Sequence, residues 1–116
     1  MSNSAYTVAG TSGVPQVWVN YSTAGAAASI LASFNVTSLT YVSTGLVTVN
    51  MTVPFSTANY STSGSCGAGG TAALTNHVSA PFNTNPTAST IRAQTLDSTN
   101  SATEGQFVSL ICTGFQ

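Results

Sequence analysis

The sequence predicts an all-β fold: a single antiparallel β-sandwich or jelly-roll-like domain over residues 15–116, behind a short N-terminal arm, residues 1–14. Three observations carry this. Val, Thr, Tyr, Phe and Ser recur in short alternating runs, the spacing of strands with one buried face. Gly, Pro, Asn and Ser break these runs at short intervals, as in a chain that turns often. Helix signals are nearly missing. The alanine-rich stretch 24–33 is the one candidate for a helical turn, and strand alternation over 30–36 fits better there.

Residues 1–12 are small and polar and read as an arm that orders on a partner. The first strand spans 15–21, with Val17, Val19 and Tyr21 on one face and Trp18 and Asn20 on the other. A second strand covers 30–36, and a short third covers 39–43. Thr44 and Gly45 mark a turn. Residues 46–55 form the clearest strand, with Val47, Val49, Met51 and Val53 on one face and Pro54 as its stop. Residues 59–66 read as a strand, and the run Gly67, Ala68, Gly69, Gly70 as a flexible loop. Residues 71–80 are ambiguous, and 81–86 are a loop by composition. Residues 89–96 form a strand with Ile91, Ala93 and Thr95 opposed to Arg92, Gln94 and Leu96. Residues 97–105 read as a polar hairpin-type loop. The last strand, 106–115, has two apolar faces: Phe107, Ile111 and Phe115 on one, Val108, Leu110 and Cys112 on the other. It is expected to be buried on both sides, in mid-sheet or against a neighbouring subunit.

Charge excludes several functions. Three of the 116 residues carry a formal charge, Arg92, Asp97 and Glu104, and lysine is absent. Serine (17) and threonine (19) take the place of charge, while 42% of the chain is hydrophobic, so the composition is that of a globular domain. No basic stripe exists to neutralise phosphates, which excludes nucleic acid as a partner. Walker-type phosphate loops and Schiff-base chemistry lack their lysine. A net charge of −1 leaves little repulsion between copies and points toward assembly.

The N-terminus resembles no signal peptide, so the chain is expected to be made in a cytosol. No run of about 20 apolar residues is present, so no membrane insertion is expected. Cys66 and Cys112 match no metal or redox spacing and read as buried thiols, with a disulfide as the alternative. Asn-X-Ser/Thr sequons at Asn20, Asn35, Asn50 and Asn59 are expected by chance in so hydroxyl-rich a chain.

The strings Val-Trp-Val-Asn-Tyr (17–21), Ala-Ser-Phe-Asn-Val-Thr-Ser-Leu-Thr (32–40), the Thr-Gly turn (44–45), Val-Thr-Val-Asn-Met-Thr (47–52) and Pro-Phe-Ser-Thr-Ala-Asn-Tyr (54–60) resemble a domain of tailed-bacteriophage virion proteins. That domain often stands at the C-terminal end of tail fibres. The resemblance implies a non-enzymatic structural component of the virion, made in the host cytoplasm and working as a homotrimer. It also implies contact with other virion proteins and, through outward loops at 56–65 and 83–89, with host surface polysaccharide. The alternative is a capsid-decoration protein that binds the major capsid protein, its arm lying on a neighbouring subunit.

No residue is assigned to catalysis, and none to a metal or cofactor. His77 is the only imidazole, and no nucleophile is marked out beside it. Asp97, Asn100 and Glu104 could offer oxygen ligands to a cation, but solvated loop-end charges with Arg92 as a partner account for the carboxylates more simply. Trp18 suits a core or interface anchor better than a sugar-stacking platform. The residues carried forward as candidate interface or ligand contacts are Trp18, Asn59, Tyr60, His77, Phe82 and Arg92.

Overall fold

A computed structural model describes residues 16–67 and 76–115. The described residues form eight strands and no helix: β1 (Val17–Ser22), β2 (Ser29–Phe34), β3 (Val36–Ser43), β4 (Leu46–Met51), β5 (Ser61–Gly67), β6 (His77–Ser79), β7 (Thr90–Leu96) and β8 (Phe107–Thr113). They make two antiparallel four-stranded sheets, one ordered β2-β1-β8-β5 and the other β3-β4-β7-β6. This is the β-sandwich the alternation predicts. The predicted arm, residues 68–70 of the glycine-rich run and the first half of the ambiguous 71–80 segment lie outside the described residues.

The core follows from period-two burial. Val17, Val19 and Tyr21 of β1 and Val108, Leu110 and Cys112 of β8 point inward from the first sheet. Val47, Val49 and Met51 of β4 and Ile91 and Ala93 of β7 meet them from the second. These are almost wholly removed from water, and burial contributes about 1.5–3 kcal/mol for each large apolar side chain.

The chain first passes from one sheet to the other at a corner between β2 and β3. The reading of 30–36 as continuous breaks at Asn35, which takes φ of 60°, a left-handed conformation that Asn tolerates better than most residues. Asn35 Nδ2 donates to Gln16 O at 3.1 Å and Val53 O at 3.0 Å, while Oδ1 accepts from Val53 N at 2.7 Å. The chain thereby leaves the first sheet at Phe34 and enters the second at Val36.

The same corner shortens β4. The sequence places its stop at Pro54, yet the strand ends at Met51. Thr52 N donates to Asn35 O, so the backbone is captured before the proline. Val53 ends 53% exposed rather than inward. Phe55 then returns to the core, its N–H donating to Ala88 O at 2.8 Å.

Two further expectations are corrected. Residues 97–105 are a crossover between sheets and not a hairpin, because β7 lies in the second sheet and β8 in the first. The loop folds back over Gly45 and Gln94: Thr103 N donates to Thr95 O, and Gln94 Nε2 donates to Thr44 O. That explains why Gln94, on the outward side of β7, is buried. β8 does sit mid-sheet, but only one of its faces is covered by the described residues. Phe107 is 58% exposed and Ile111 41%. Phe115, beyond the strand end, is exposed as well.

Candidate functional site

The six candidate residues do not converge. Trp18 is half-buried on the outward side of β1, between Phe34 of β2 and Ile111 of β8. Asn59 is exposed just before β5, its N–H donating to Thr57 Oγ1. Tyr60 packs within its own chain. Its ring stacks on Phe55 with centroids 4.3 Å apart, and its hydroxyl donates between Thr87 O (2.8 Å) and Thr90 O (3.1 Å). Burial pushes its phenol up to about 12. His77 is exposed at the start of β6, opposite Leu96. Phe82 and Arg92 do come together, through a bond from Phe82 N to Arg92 O that prolongs the β6–β7 ladder. Arg92 lies on the outward side of β7 opposite Thr48.

The two carboxylates serve separate turns. Asp97 Oδ1 accepts from Thr99 Oγ1 (2.7 Å), Thr99 N (2.8 Å) and Ser101 N (3.1 Å). The Thr99 hydroxyl first, then the two amides, hold this carboxyl below its ordinary value. Glu104 accepts from Tyr41 OH at 2.5 Å and Gly45 N at 2.6 Å, tying the crossover to the β3–β4 turn. The trio Asp97, Asn100, Glu104 is therefore not assembled around a common point. Among the described residues no group of three or more His, Cys, Asp and Glu could hold a metal ion.

The cysteines are unbridged thiols. Thr62 pairs with Cys112 and Cys66 with Val108, so the two stand four residues apart along adjoining strands, about 13 Å, beyond disulfide reach. Burial pushes Cys112 up to about 11 and Cys66 upward too, the opposite of an activated nucleophile.

The chemistry lies in the two outer faces instead. β1, β2, β5 and β8 contain no Asp, Glu, Lys, Arg or His. Their outward side presents Trp18, Phe34, Phe107 and Ile111, with Asn20, Ser109 and the serines of β5 between. A register shift in the β1–β2 ladder leaves Leu31 as an extra residue. Leu31 joins Asn20, Phe107, Val108 and Ser109 around a groove of about 180 Å³. A second groove of about 180 Å³, lined by Ser63, Gly64, Ser65, Ser109 and Ile111, lies on the other side of β8.

The second sheet turns a polar face outward. Asn50 Nδ2 donates to Ser38 Oγ (3.1 Å) and Thr40 Oγ1 (3.0 Å), and Thr37 and Thr52 share a hydroxyl bond of 2.8 Å. Thr48 stands beside this lattice, paired in register with Thr40 of β3 and Arg92 of β7. Sequence reasoning misses this division of labour because hydroxyls are spread evenly along the chain. The signal is present in the strand compositions, once strands are sorted by sheet.

The chain matches no family model, no curated protein and no solved structure.

Proposed function

We propose that this chain is a non-enzymatic structural component of a tailed-phage virion, of the tail-fibre or appendage type, acting as a homo-oligomer. The observation that carries this reading is the opposition of the two outer faces. An uncharged apolar face suits protein–protein packing, where apolar contacts need no ion to be desolvated. A lattice of hydroxyls and amides suits neutral ligands such as surface polysaccharide, which are recognised by hydrogen bonds. The resemblance of residues 17–60 to tail-fibre domains supports the same reading. With little charge to screen, contacts of both kinds would persist across a wide range of salt.

Quantitative mass spectrometry of purified virions tests it. The chain is expected in fixed stoichiometry, at a few to a few dozen copies. Hundreds of copies per particle would instead assign it to capsid decoration, and absence from intact particles would refute a virion role. Binding of the purified chain to host polysaccharide, weakened by Asn50→Ala, tests the outward face.

A further inference from the structure

We infer that the free edge of β5 takes up a strand from the N-terminal arm, residues 4–10, of a neighbouring copy of this chain. The inference deepens the homo-oligomer of the proposed function and rests on that reading for the number of copies. The docking edge itself follows from the described strands.

An edge strand presents unpaired N–H and C=O groups, and folds blunt such edges with short strands, bulges, charge or proline. The two sheets have four edges among the described residues, and three of them are blunted. β6 is three residues long. β3 has register shifts near both of its ends, at Val36/Ser38 and Tyr41/Ser43. β2 has one at Leu31 and leaves its sheet at the Asn35 corner. β5 has none of these devices. Its seven residues pair with β8 in unbroken register, from Ser61 opposite Thr113 to Gly67 opposite Phe107. It holds no charge and no proline. Every second residue of an antiparallel strand turns its N–H and C=O away from the neighbour it pairs with. Among the described residues no backbone bond outside the β5–β8 ladder reaches β5, and Ser61, Ser63, Ser65 and Gly67 are exposed.

Three observations select the arm of a neighbouring copy as the occupant. The first is length. Fifteen residues precede Gln16, up to about 50 Å of extended chain. Seven of them match β5, and the rest bridge to the neighbour. The second is pattern. Ala-Tyr-Thr-Val-Ala (5–9) places β-forming residues in a run without charge or proline. Gly10, Gly13 and Pro15 behind it suit a turn, and Pro15 has no N–H to carry the β1 ladder further. The third is the path. Gln16 and the start of β5 lie at the same end of the first sheet, with the end of β8 between them. Gly114 fills that gap: its N–H donates to Gln16 Oε1 at 2.8 Å, and a Cβ on it would lie 2.8 Å from Tyr60 Cβ. Phe115 O is held in turn by Ser56 N at 2.7 Å. The chain's own C-terminal segment thus stands across the direct route from β1 to β5, so the added strand comes from a neighbour. Each copy then gives one arm and receives one, a head-to-tail contact that a ring of three closes.

Native mass spectrometry and hydrogen exchange of the full chain at about 10 µM test this. The expected result is a trimer, and a monomer once residues 2–12 are deleted. Amides of residues 61–67 should exchange at least about tenfold more slowly in the full chain than in the deletion variant. Exchange in β2 and β3 should be the same in both. Val8→Pro removes an N–H from the arm and none from the described fold, so it should release the trimer and the protection of β5 even if the deletion variant fails to fold. Any mass other than a trimer for the full chain, a trimer that survives both changes, or protection lost from β2 or β3 instead of β5 would overturn the inference. Those results would leave the virion reading standing, because particle composition tests that separately.

Discussion

Asn35 provides the most direct test of how the sandwich is held. Replacing it with alanine removes three hydrogen bonds, two donated by Nδ2 and one accepted by Oδ1. Each contributes about 1 kcal/mol net. Val53 is exposed, so water recovers part of its share and the three together come to about 2 kcal/mol. Alanine must also hold φ near 60°, which adds about 1 kcal/mol. Asn35→Ala should therefore lose about 3 kcal/mol, and Asn35→Gly, which tolerates the backbone, about 2 kcal/mol. With a urea slope of about 1–2 kcal/mol per M, the midpoint falls by roughly 1.5–3 M for alanine. Trp18 pairs with Phe34 beside the corner, so its fluorescence in urea titrations reports the transition. An alanine variant within about 0.5 kcal/mol of the wild type would refute the corner's role, since surface substitutions fall in that range. Equal losses for alanine and glycine would refute the backbone part alone.

Gly45→Ala should be among the most damaging single changes: φ is +66°, and a Cβ would lie 2.0 Å from Thr103 O and 2.9 Å from Gln94 Nε2. A loss above about 3 kcal/mol is expected in thermal or urea unfolding. Tyr60→Phe keeps the stack on Phe55 but removes the bonds to Thr87 O and Thr90 O; Thr90 O keeps its bond from Thr87 N and exposed Thr87 turns to water, so the loss by the same measurement should be about 1 kcal/mol or less. Alkali should also weaken the fold. Cys112 is raised to about 11 and Tyr60 to about 12, so the folded chain keeps protons that the unfolded chain releases from about pH 8.5–10 upward. Their stabilisation is complete below that range and is lost as pH rises through the folded values. Cys112 alone accounts for about 2 kcal/mol between pH 7 and pH 10.5. Urea midpoints at the two pH values read this, and Cys112→Ala should remove the larger part of the difference, leaving the share of Tyr60.

Much of the fold is legible in the sequence because burial obeys a period of two. Val17, Val19 and Tyr21, or Val47, Val49 and Met51, announce an inward face with no reference to the rest of the chain. Three features are not legible, each for a physical reason. Ser33-Phe34-Asn35-Val36-Thr37 keeps strand alternation straight through a corner, since Asn can occupy either backbone region. Residues 97–105 look alike whether they join neighbouring strands or opposite sheets, because a polar loop records its ends and not their destination. Phe107 and Ile111 mark an apolar face, but alternation cannot say whose atoms cover it. The candidate site suffers in the same way. Trp18 reads as an anchor from its own chemistry, whereas Tyr60 reads as a contact because the carbonyls of Thr87 and Thr90 are distant in sequence.

The pairing of Val17 with Cys112 also has a mechanical consequence. The described chain enters β1 and leaves β8 at the same end of adjoining antiparallel strands. Tension applied between those two points would peel the seam one pair of bonds at a time, from Val17 toward Tyr21, instead of loading the whole ladder at once. The tear would run through the middle of the first sheet and open the core between Val19 and Leu110. A body lying across the outward side of that sheet bridges β1 and β8 and acts as a splint, so a chain that yields readily when pulled alone would resist the same pull once covered.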